Sequence, residues 1–420
     1  MSDAERDNVA RLEGIKKHIA YDWKFASHQP LSLAEASVKL RAEESTTKSV
    51  HPISGKDIQT DVCRVASLSP VEDEFSHGEI EVKEGEKWLY WGVFDGHSGW
   101  ATAKVLSSIL ARRVARHLGT LTDEGIRDVE SVISAFESAF LELDDEIMSD
   151  GIDAMSENIP HAEAMCRIAP TSSGSCASLV FLDPVSSMLY AACSGDSRVV
   201  MGQSNKPEAG WTAVALSKDQ TGSNPDEVSR INAEHPGETP INGGRVLGCE
   251  VTRSFGDSRW KWPRDSISLW QNKFFGLDFK DDYLTPPYIT AKPAMQSLQL
   301  VPGSFLIIAS DGFWNHMASD DDAVYCMEMW LENQKKEEMG GSDCTATDGE
   351  IPKSSGSTGY AYNWNVSREE FVVENENAAT HLVRNAFGGS NTDLFCGMMS
   401  LKSPDSKQAR DDTTAIVVFF

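Results

Sequence analysis

Short apolar runs alternate with longer helical patterns along most of this chain. Large apolar residues recur every three or four positions over residues 106–118 and again over 136–147, which is the spacing of one helix face. Gly119 follows the first stripe, and we expect it to end that helix as a C-cap. Five further runs are short and rich in β-branched and aromatic residues, which predicts strands. They are residues 88–94, 178–182, 188–193, 305–309 and 414–420.

The connections between these runs indicate the fold class. The links between residues 182 and 188 and between 193 and 198 are too short for a crossover helix, so they favour antiparallel pairing. Together with the helical stripes, they predict an α+β protein. We also expect a helix over residues 33–43. We divide the chain into an N-terminal extension (1–60), partly packed on the domain, and one domain (61–420). Because residues 339–360 are of low complexity, a surface insertion is predicted at about 335–362.

Composition and charge narrow the possible partners. The 420 residues include 38 Lys and Arg against 64 Asp and Glu, a formal net charge of −26. Nucleic acids and anionic membrane surfaces are bound through an excess of positive charge, so we expect neither partner. No apolar run approaches the roughly 18 residues that a membrane-spanning helix needs, which predicts no membrane insertion.

Cysteine spacing and the N-terminus bear on the compartment. The eight cysteines are widely separated and include no Cys-x-x-Cys pair, which predicts reduced thiols without a disulfide framework or a zinc site. The first residues are acidic and resemble neither a signal peptide nor a transit peptide. These features predict a soluble intracellular protein.

Acidic residues stand at the ends of several predicted strands. One Asp-Gly after a strand is usually only a turn, but repeated strand ends that converge would line a cleft with carboxylates. An acidic pair, Glu72-Asp73, also precedes the first of these strands. The strand-end residues are Asp95, Asp196, Asp311 and Asp411.

Such a cleft needs positive charge, because neighbouring carboxylates repel one another when they are ionised. Mg²⁺ and Mn²⁺ prefer oxygen ligands of this kind, and two such ions can activate water for attack on phosphorus. His97, two residues after Asp95, could protonate a leaving group. The sequence contains no nucleophile elbow, no phosphate-binding P-loop and no dinucleotide-binding loop. The residues by themselves therefore indicate a metal-dependent hydrolase of phosphate esters.

Six sequence blocks resemble those of the PP2C-type (PPM) metal-dependent protein phosphatases, in the order typical of that family. They are residues 94–99 (FDGHSG), 174–177 (GSCA), 195–198 (GDSR), 252–257 (TRSFGD), 309–314 (ASDGFW) and 410–414 (RDDTT). The resemblance extends from about Glu72 to the C-terminus. Within the family, the chain is most similar to the pyruvate dehydrogenase phosphatase branch. That similarity rests on residues 70–73 (PVED), 224–227 (NPDE), 261–262 (KW), 286–288 (PPY) and 381–385 (HLVRN).

The resemblance implies a fold and a set of residue roles. The fold would be a β-sandwich of two antiparallel sheets flanked by helices in four layers (αββα), with two Mg²⁺ or Mn²⁺ ions in a cleft. His97 corresponds to the general acid, and Asp196 to a residue that helps to hold a third ion. The implied ligands of the two ions are Asp95 as the bridge, Glu72 and the Gly96 carbonyl on one ion, Asp311 and Asp411 on the other, and Asp73 through bound waters.

Two positions depart from the family pattern. Many members carry an arginine four residues before the glutamate of the acidic pair, where it binds the substrate phosphate, but this chain has Leu68. Phosphate binding then falls to other groups, and Arg64 is a candidate. Asn315 stands where many members have aspartate, so a third ion would be held without that charge.

We therefore predict a protein serine/threonine phosphatase that hydrolyses phosphoserine and phosphothreonine by direct attack of metal-bound hydroxide. Pyruvate dehydrogenase is the phosphoprotein substrate that the branch favours. One alternative is a metal-dependent phosphohydrolase of small molecules or nucleotides, and another is a non-catalytic binding protein of the same fold. The branch also implies a mitochondrial location, although no import signal is visible and the cytosol is possible.

Overall fold

Two antiparallel β-sheets pack face to face at the centre of the fold. The computed structural model describes residues 29–204, 210–279, 282–338, 365–374 and 376–420. The six strands of one sheet, in pairing order, are β1 (Ser45–Val50), β2 (Asp57–Val65), β16 (Thr413–Phe419), β15 (Phe305–Ala309), β9 (Arg198–Gln203) and β10 (Thr212–Ala215). The five strands of the other are β14 (Ala294–Gln299), β8 (Met188–Ser194), β7 (Ala177–Asp183), β4 (Glu86–Phe94) and β3 (Glu74–Lys83).

An apolar layer fills the space between the two sheets. Along β16, Ile416 and Val418 belong to this layer, whereas Ala415 and Val417 belong to the core on the opposite face, which is the two-residue alternation of a strand. Both faces of β16 are therefore buried. This explains why residues 414–420 are almost continuously apolar instead of alternating with polar residues.

Helices cover the outer face of each sheet. The two long helices α2 (Ala101–Thr120) and α3 (Val129–Ser156) pack on the five-stranded sheet through the predicted apolar stripes. The six-stranded sheet is covered by α1 (Leu33–Leu40), α9 (Asp320–Glu338), α10 (Ala378–Ala386) and α11 (Thr392–Ser400). The order helix, sheet, sheet, helix confirms the four-layer α+β architecture.

Several short elements lie beyond the sandwich. A small three-stranded sheet has the order β13 (Phe255–Gly256), β6 (Gly174–Ser175) and β5 (Gly96–His97). A hairpin is formed by β11 (Ile241–Asn242) and β12 (Arg245–Val246). The remaining helices are α4 (His161–Ser172), α5 (Pro225–Glu234), α6 (Ser258–Lys261), α7 (Arg264–Phe274) and α8 (Asp311–Trp314). Single 3₁₀ turns span Arg41–Glu43, Gly125–Arg127, Arg368–Glu370 and Asp405–Gln408.

The predicted helix ends were less accurate than the helices themselves. The expected helix over 33–43 is present as α1 followed by a 3₁₀ turn. Gly119 does not cap α2, because the helix continues through Thr120 and its C-cap is Leu121. A Cβ atom on Gly119 would lie 2.6 Å from the carbonyl oxygen of Val82 in β3. The glycine is therefore explained by close helix–sheet packing, which a local pattern does not show.

One of the two predicted antiparallel links is correct. β7 and β8 pair, but β8 and β9 belong to different sheets, because the chain crosses from one sheet to the other at Gly195, whose φ is 113°. This crossing leaves Asp196 between the sheets. Antiparallel pairing was the wrong interpretation of the 193–198 link, since a short connection also suits a step between packed layers.

The predicted boundary between the N-terminal extension and the domain does not coincide with the end of an element. The boundary at residue 60 falls inside β2, and β1 before it is already paired in the six-stranded sheet. Most of the predicted insertion at about 335–362 lies outside the described residues. None of the helices in the described part of the chain is both long and apolar enough to cross a membrane.

Candidate active site

Three of the predicted carboxylates meet at one edge of the sandwich. Each of Asp95, Asp196 and Asp311 offers an oxygen, and these oxygens all lie within 4.8 Å of one another. Asp95 follows β4, Asp196 lies in the crossing between the sheets, and Asp311 begins α8. The backbone N–H of Asp311 donates to Asp95 Oδ2 at 3.1 Å, which joins the ends of β4 and β15. For these three residues, the structure confirms that the strand ends converge.

The cluster is electrostatically unfavourable without a cation. Burial raises the pKa of both Asp95 and Asp311 well above the usual value, and the negative charge of their carboxylate neighbours raises it further. Burial also raises the pKa of Asp196 to about 6. Bound divalent ions would remove this penalty, so the donor set fits a hard, oxygen-preferring metal.

Asp73 supports the same fit. Its side chain is buried, with 1% of the residue exposed, and neither carboxylate oxygen has a well-oriented hydrogen-bond partner among the described residues. Burial and the charge of Asp412 raise the pKa of Asp73, and the nearby hydroxyls of Ser310 and Thr414 offset this only in part. Buried carboxylates are normally hydrogen-bonded, so the oxygens of Asp73 are suited to bind an ion or ordered water.

The loop that carries Glu72 is held against the end of β4. A Cβ atom on Gly96 would lie 2.2 Å from the carbonyl oxygen of Glu72, so only glycine allows this approach. The buried carboxylate of Asp412 accepts hydrogen bonds from the backbone N–H groups of Ser67, Leu68 and Glu72. Sequence reasoning had assigned no role to Asp412, and its only signal was that it follows Asp411.

His97 is held by a carboxylate that the sequence analysis also missed. His97 Nε2 lies 2.8 Å from Asp257 Oδ2, and the Ser254 hydroxyl donates to the same oxygen at 2.5 Å. The three-stranded sheet brings these residues together, and a Cβ atom on Gly174 would lie 2.2 Å from His97 Nε2. Burial alone would lower the pKa of His97, but Asp257 raises it to about 9. The carboxylate of Asp257 therefore favours the protonated form of the imidazole.

The other predicted site residues occupy different surroundings. Asp411 faces the same cavity as Asp95 and Asp311, and one of its oxygens forms an ion pair with the Lys407 ammonium. Asn315 donates its amide to Asp311 Oδ2 at 3.2 Å.

Arg64 makes its contacts outside the cluster of Asp95, Asp196 and Asp311. Its guanidinium binds Glu43, Glu74 and the Asp73 carbonyl oxygen and lies over the Phe75 ring. These contacts occupy the guanidinium, so its surroundings do not favour the phosphate-binding role predicted for it.

A cavity of about 280 Å³ opens in front of the carboxylates. It is lined by Asp95, Asp196, Asp311, Asp411 and His97, and also by Arg245, residues 248–251 and Trp260. Arg245 is paired with Glu250 at 2.6 Å. The cavity thus brings four aspartate carboxylates and the imidazole of His97 together.

The known proteins to which this chain is similar are phosphatases. A family model described as "Protein phosphatase 2C" matches residues 64–341. A protein phosphatase 2C homolog of Schizosaccharomyces pombe is 34% identical over 372 residues, covering 86% of this chain and 80% of the relative. The mitochondrial pyruvate dehydrogenase (acetyl-transferring) phosphatase 1 of Saccharomyces cerevisiae is 33% identical, covering 86% of this chain and 68% of the relative. The human phosphatase of the same name is 27% identical, with 91% and 81% covered.

A solved structure supports the fold. The serine-threonine phosphatase 2C of Toxoplasma gondii superimposes with a TM-score of 0.51 at 15% identity, covering 90% of this chain and 99% of that one. At this identity the similarity concerns architecture alone, and it agrees with the four-layer arrangement described above.

Proposed function

Because the chain belongs to the protein phosphatase 2C family, and is thus a protein serine/threonine phosphatase, we propose that it hydrolyses phosphoserine and phosphothreonine by direct attack of water on phosphorus. The observation that carries this proposal is the convergence of Asp95, Asp196 and Asp311 beside the His97–Asp257 pair. In this reaction water is the attacking group, so no phosphorylated enzyme intermediate forms.

The family is metal-dependent, and the donor set suits two Mg²⁺ or Mn²⁺ ions. Asp95, Asp311 and Asp411 would hold them together with Glu72 and the Gly96 carbonyl. Asp73 would bind the surrounding water, and Asp196 with Asn315 would contribute to a third, weaker position. When bound, such ions supply positive charge and lower the pKa of water, which is the chemistry that phosphate-ester hydrolysis requires.

His97 supplies the proton for the leaving group. A seryl or threonyl alkoxide is a poor leaving group, so a positioned acid speeds its departure by roughly 10²- to 10⁴-fold. Asp257 keeps one ring nitrogen engaged and stabilises the imidazolium. The side chain is 30% exposed, which leaves it accessible from the cavity.

The substrate that we propose is pyruvate dehydrogenase or a related phosphoprotein, with a mitochondrial site of action. This rests on the similarity to mitochondrial pyruvate dehydrogenase phosphatases, of which the yeast protein is 33% identical over most of this chain. Phosphorylated pyruvate dehydrogenase should be dephosphorylated with a higher kcat/KM than an unrelated phosphoprotein, and equal values would contradict this assignment. Imaging of the tagged full-length protein tests the location.

The activity itself is tested on a phosphothreonine peptide with Mn²⁺. Asp95→Asn and Asp311→Asn should each abolish turnover, because each removes an anionic ligand from the centre of the cluster. Asp123→Asn, which changes a fully exposed carboxylate, is the matched control and should retain wild-type activity. Full Mn²⁺-dependent activity in either site variant would show that the assigned metal site is wrong.

A panel of nucleotides separates the proposal from its main alternative. Turnover of the phosphopeptide with little turnover of nucleotides supports a protein phosphatase. Turnover confined to nucleotides would replace the proposed substrate class, and no turnover of either by wild-type protein with Mn²⁺ or Mg²⁺ would favour a non-catalytic role.

A further inference from the structure

A lysine at the edge of the carboxylate cluster has no role in the mechanism described so far. The ammonium of Lys407 forms an ion pair with Asp411, which lines the cavity. Burial would lower the pKa of Lys407, but Asp411, Asp311 and Asp95 together raise it. The direct contact is with Asp411, so this cation lies against a residue predicted to bind one of the metal ions.

The backbone places Lys407 directly beside the loop that precedes Glu72. Lys407 belongs to the 3₁₀ turn Asp405–Gln408, and the hydroxyl of Ser406 donates to the carbonyl oxygen of Ser67. The hydroxyl of Ser67 donates in turn to the carbonyl oxygen of Arg410 at 2.7 Å. Leu68 lies in this loop and carries no charge. The 3₁₀ turn thus brings a cation into contact with Asp411, which lines the cavity, beside a loop in which Leu68 provides no charge.

The other cations near the cavity are less suited to bind a phosphoryl group. The guanidinium of Arg64 is occupied by two glutamates and a backbone carbonyl. Arg198 is held by Asp219 at 2.6 Å and by Asp320. Arg245 lines the cavity from the small hairpin, and its guanidinium is paired with Glu250. The Lys407 side chain is 39% exposed, and its partner Asp411 is a predicted metal ligand.

We infer that Lys407 binds the phosphoryl oxygens of the substrate and so replaces the cation that Leu68 does not supply. This inference rests on the proposed function. A phosphoryl dianion approaching the cluster needs a positive partner beyond the metal ions, and charge-assisted hydrogen bonds to phosphate are among the strongest in proteins. A metal ion held by Asp411 would share that carboxylate, and the Lys407 ammonium would then be available to donate a hydrogen bond to a phosphoryl oxygen.

The test compares KM with kcat. Lys407→Gln and Lys407→Met remove the charge, and Met keeps nearly the same length if Gln perturbs the fold. Each should raise KM for a phosphothreonine peptide about 10- to 100-fold, because one charge-assisted hydrogen bond is lost, while kcat changes much less. Inhibition by inorganic phosphate should weaken by a similar factor. Lys407→Arg should stay close to wild type.

A matched control and a second readout distinguish this role from a structural one. Lys402→Gln removes an exposed lysine just before the same turn and should leave KM unchanged. Mn²⁺ affinity is measured by calorimetry without substrate. If Lys407→Gln tightens Mn²⁺ binding and leaves both KM and phosphate inhibition unchanged, Lys407 is only a counter-charge for Asp411 and the inference is wrong. An inactive wild-type protein would instead contradict the proposed function.

Discussion

At the scale of single residues, the pair His97 and Asp257 shows how the fold sets the chemistry of a side chain. Asp257 is buried and has the left-handed backbone conformation (φ 57°, ψ 44°) immediately before α6. Such a conformation is uncommon outside glycine, asparagine and aspartate, and residues held in it cluster at functional sites. The backbone therefore holds the Asp257 carboxylate in a fixed position. It can stabilise the imidazolium of His97 without moving.

Substitution of Asp257 should move the pH dependence of catalysis. His97 must be protonated to act as the acid, so activity falls as the pH rises through its pKa. Asp257→Asn removes the charge that raises this pKa and keeps a residue that tolerates the left-handed conformation. We expect the alkaline limb of the kcat–pH profile to shift to lower pH, with a smaller effect on KM. An alkaline limb that stays in place would show that Asp257 does not control the protonation of His97.

The same residues show how far the sequence could be interpreted. Asp95 and Asp311 could be predicted because each follows a strand in a local Asp-Gly pattern. Asp257 was missed because it is 160 residues from His97, and only the small sheet brings the two together. Arg64 was close in sequence to the acidic pair. In three dimensions, its guanidinium forms ion pairs with Glu43 and Glu74. No local sequence pattern predicts these ion pairs.

At the scale of secondary-structure elements, α5 anchors the segment that carries Asp257. The Glu227 carboxylate in α5 accepts hydrogen bonds from Arg253, Arg230 and the Thr252 hydroxyl. Its side chain is almost fully buried. Burial alone would raise the pKa of Glu227, but these partners lower it to about 2. The helix and the following motif are therefore joined by one buried ionic cluster.

Neutralising Glu227 should destabilise the protein in a pH-dependent way. Glu227→Gln leaves two arginines with weaker acceptors, and we expect a loss on the order of 3 kcal/mol at pH 7. Because the folded-state pKa of about 2 lies below the unfolded value of about 4.3, the contribution of the carboxylate is complete above the unfolded pKa. It declines as the pH falls toward 2, so the difference between variant and wild type should narrow there.

Urea unfolding at pH 7 and at pH 3 measures this difference. Glu234→Gln is the control, since Glu234 pairs with the same Arg230 on the exposed face of α5 and should cost less than about 1 kcal/mol. A destabilisation by Glu227→Gln that is equal at the two pH values would contradict an ionic origin.

Predictions for individual elements depended on how regular the elements are. The central strands and the long helices followed the expected patterns. Each is long enough for its buried face to appear in the sequence as a run or a stripe of apolar residues. The two-residue strands β5, β6 and β13 carry too few residues for any pattern. They exist because His97, Gly174 and Gly256 pack against one another across the fold. The part of the site that depends on these strands was therefore inaccessible from periodicity alone.

At the scale of the whole molecule, the proposed metal ligands come from both sheets. Asp95 follows a strand of the five-stranded sheet, whereas Asp311 and Asp411 flank adjacent strands of the six-stranded sheet. Asp95 and Asp411, far apart in the sequence, thus line the same cavity. Without cations, this cavity concentrates negative charge in a chain whose formal net charge is already −26.

Metal binding should consequently stabilise the whole fold, because ions that bind only the folded state shift the unfolding equilibrium. At a free concentration 100 times Kd, one bound ion contributes about 2.7 kcal/mol, which should raise the Tm by several degrees. Thermal unfolding with EDTA and then with Mn²⁺ measures this shift without any activity assay. Asp95→Asn should largely abolish it because the proposed bridging ligand is lost, while the exposed-site variant Asp123→Asn should show the full wild-type shift. An equal Mn²⁺ response in Asp95→Asn and wild type would mean that the ions bind elsewhere on the acidic surface.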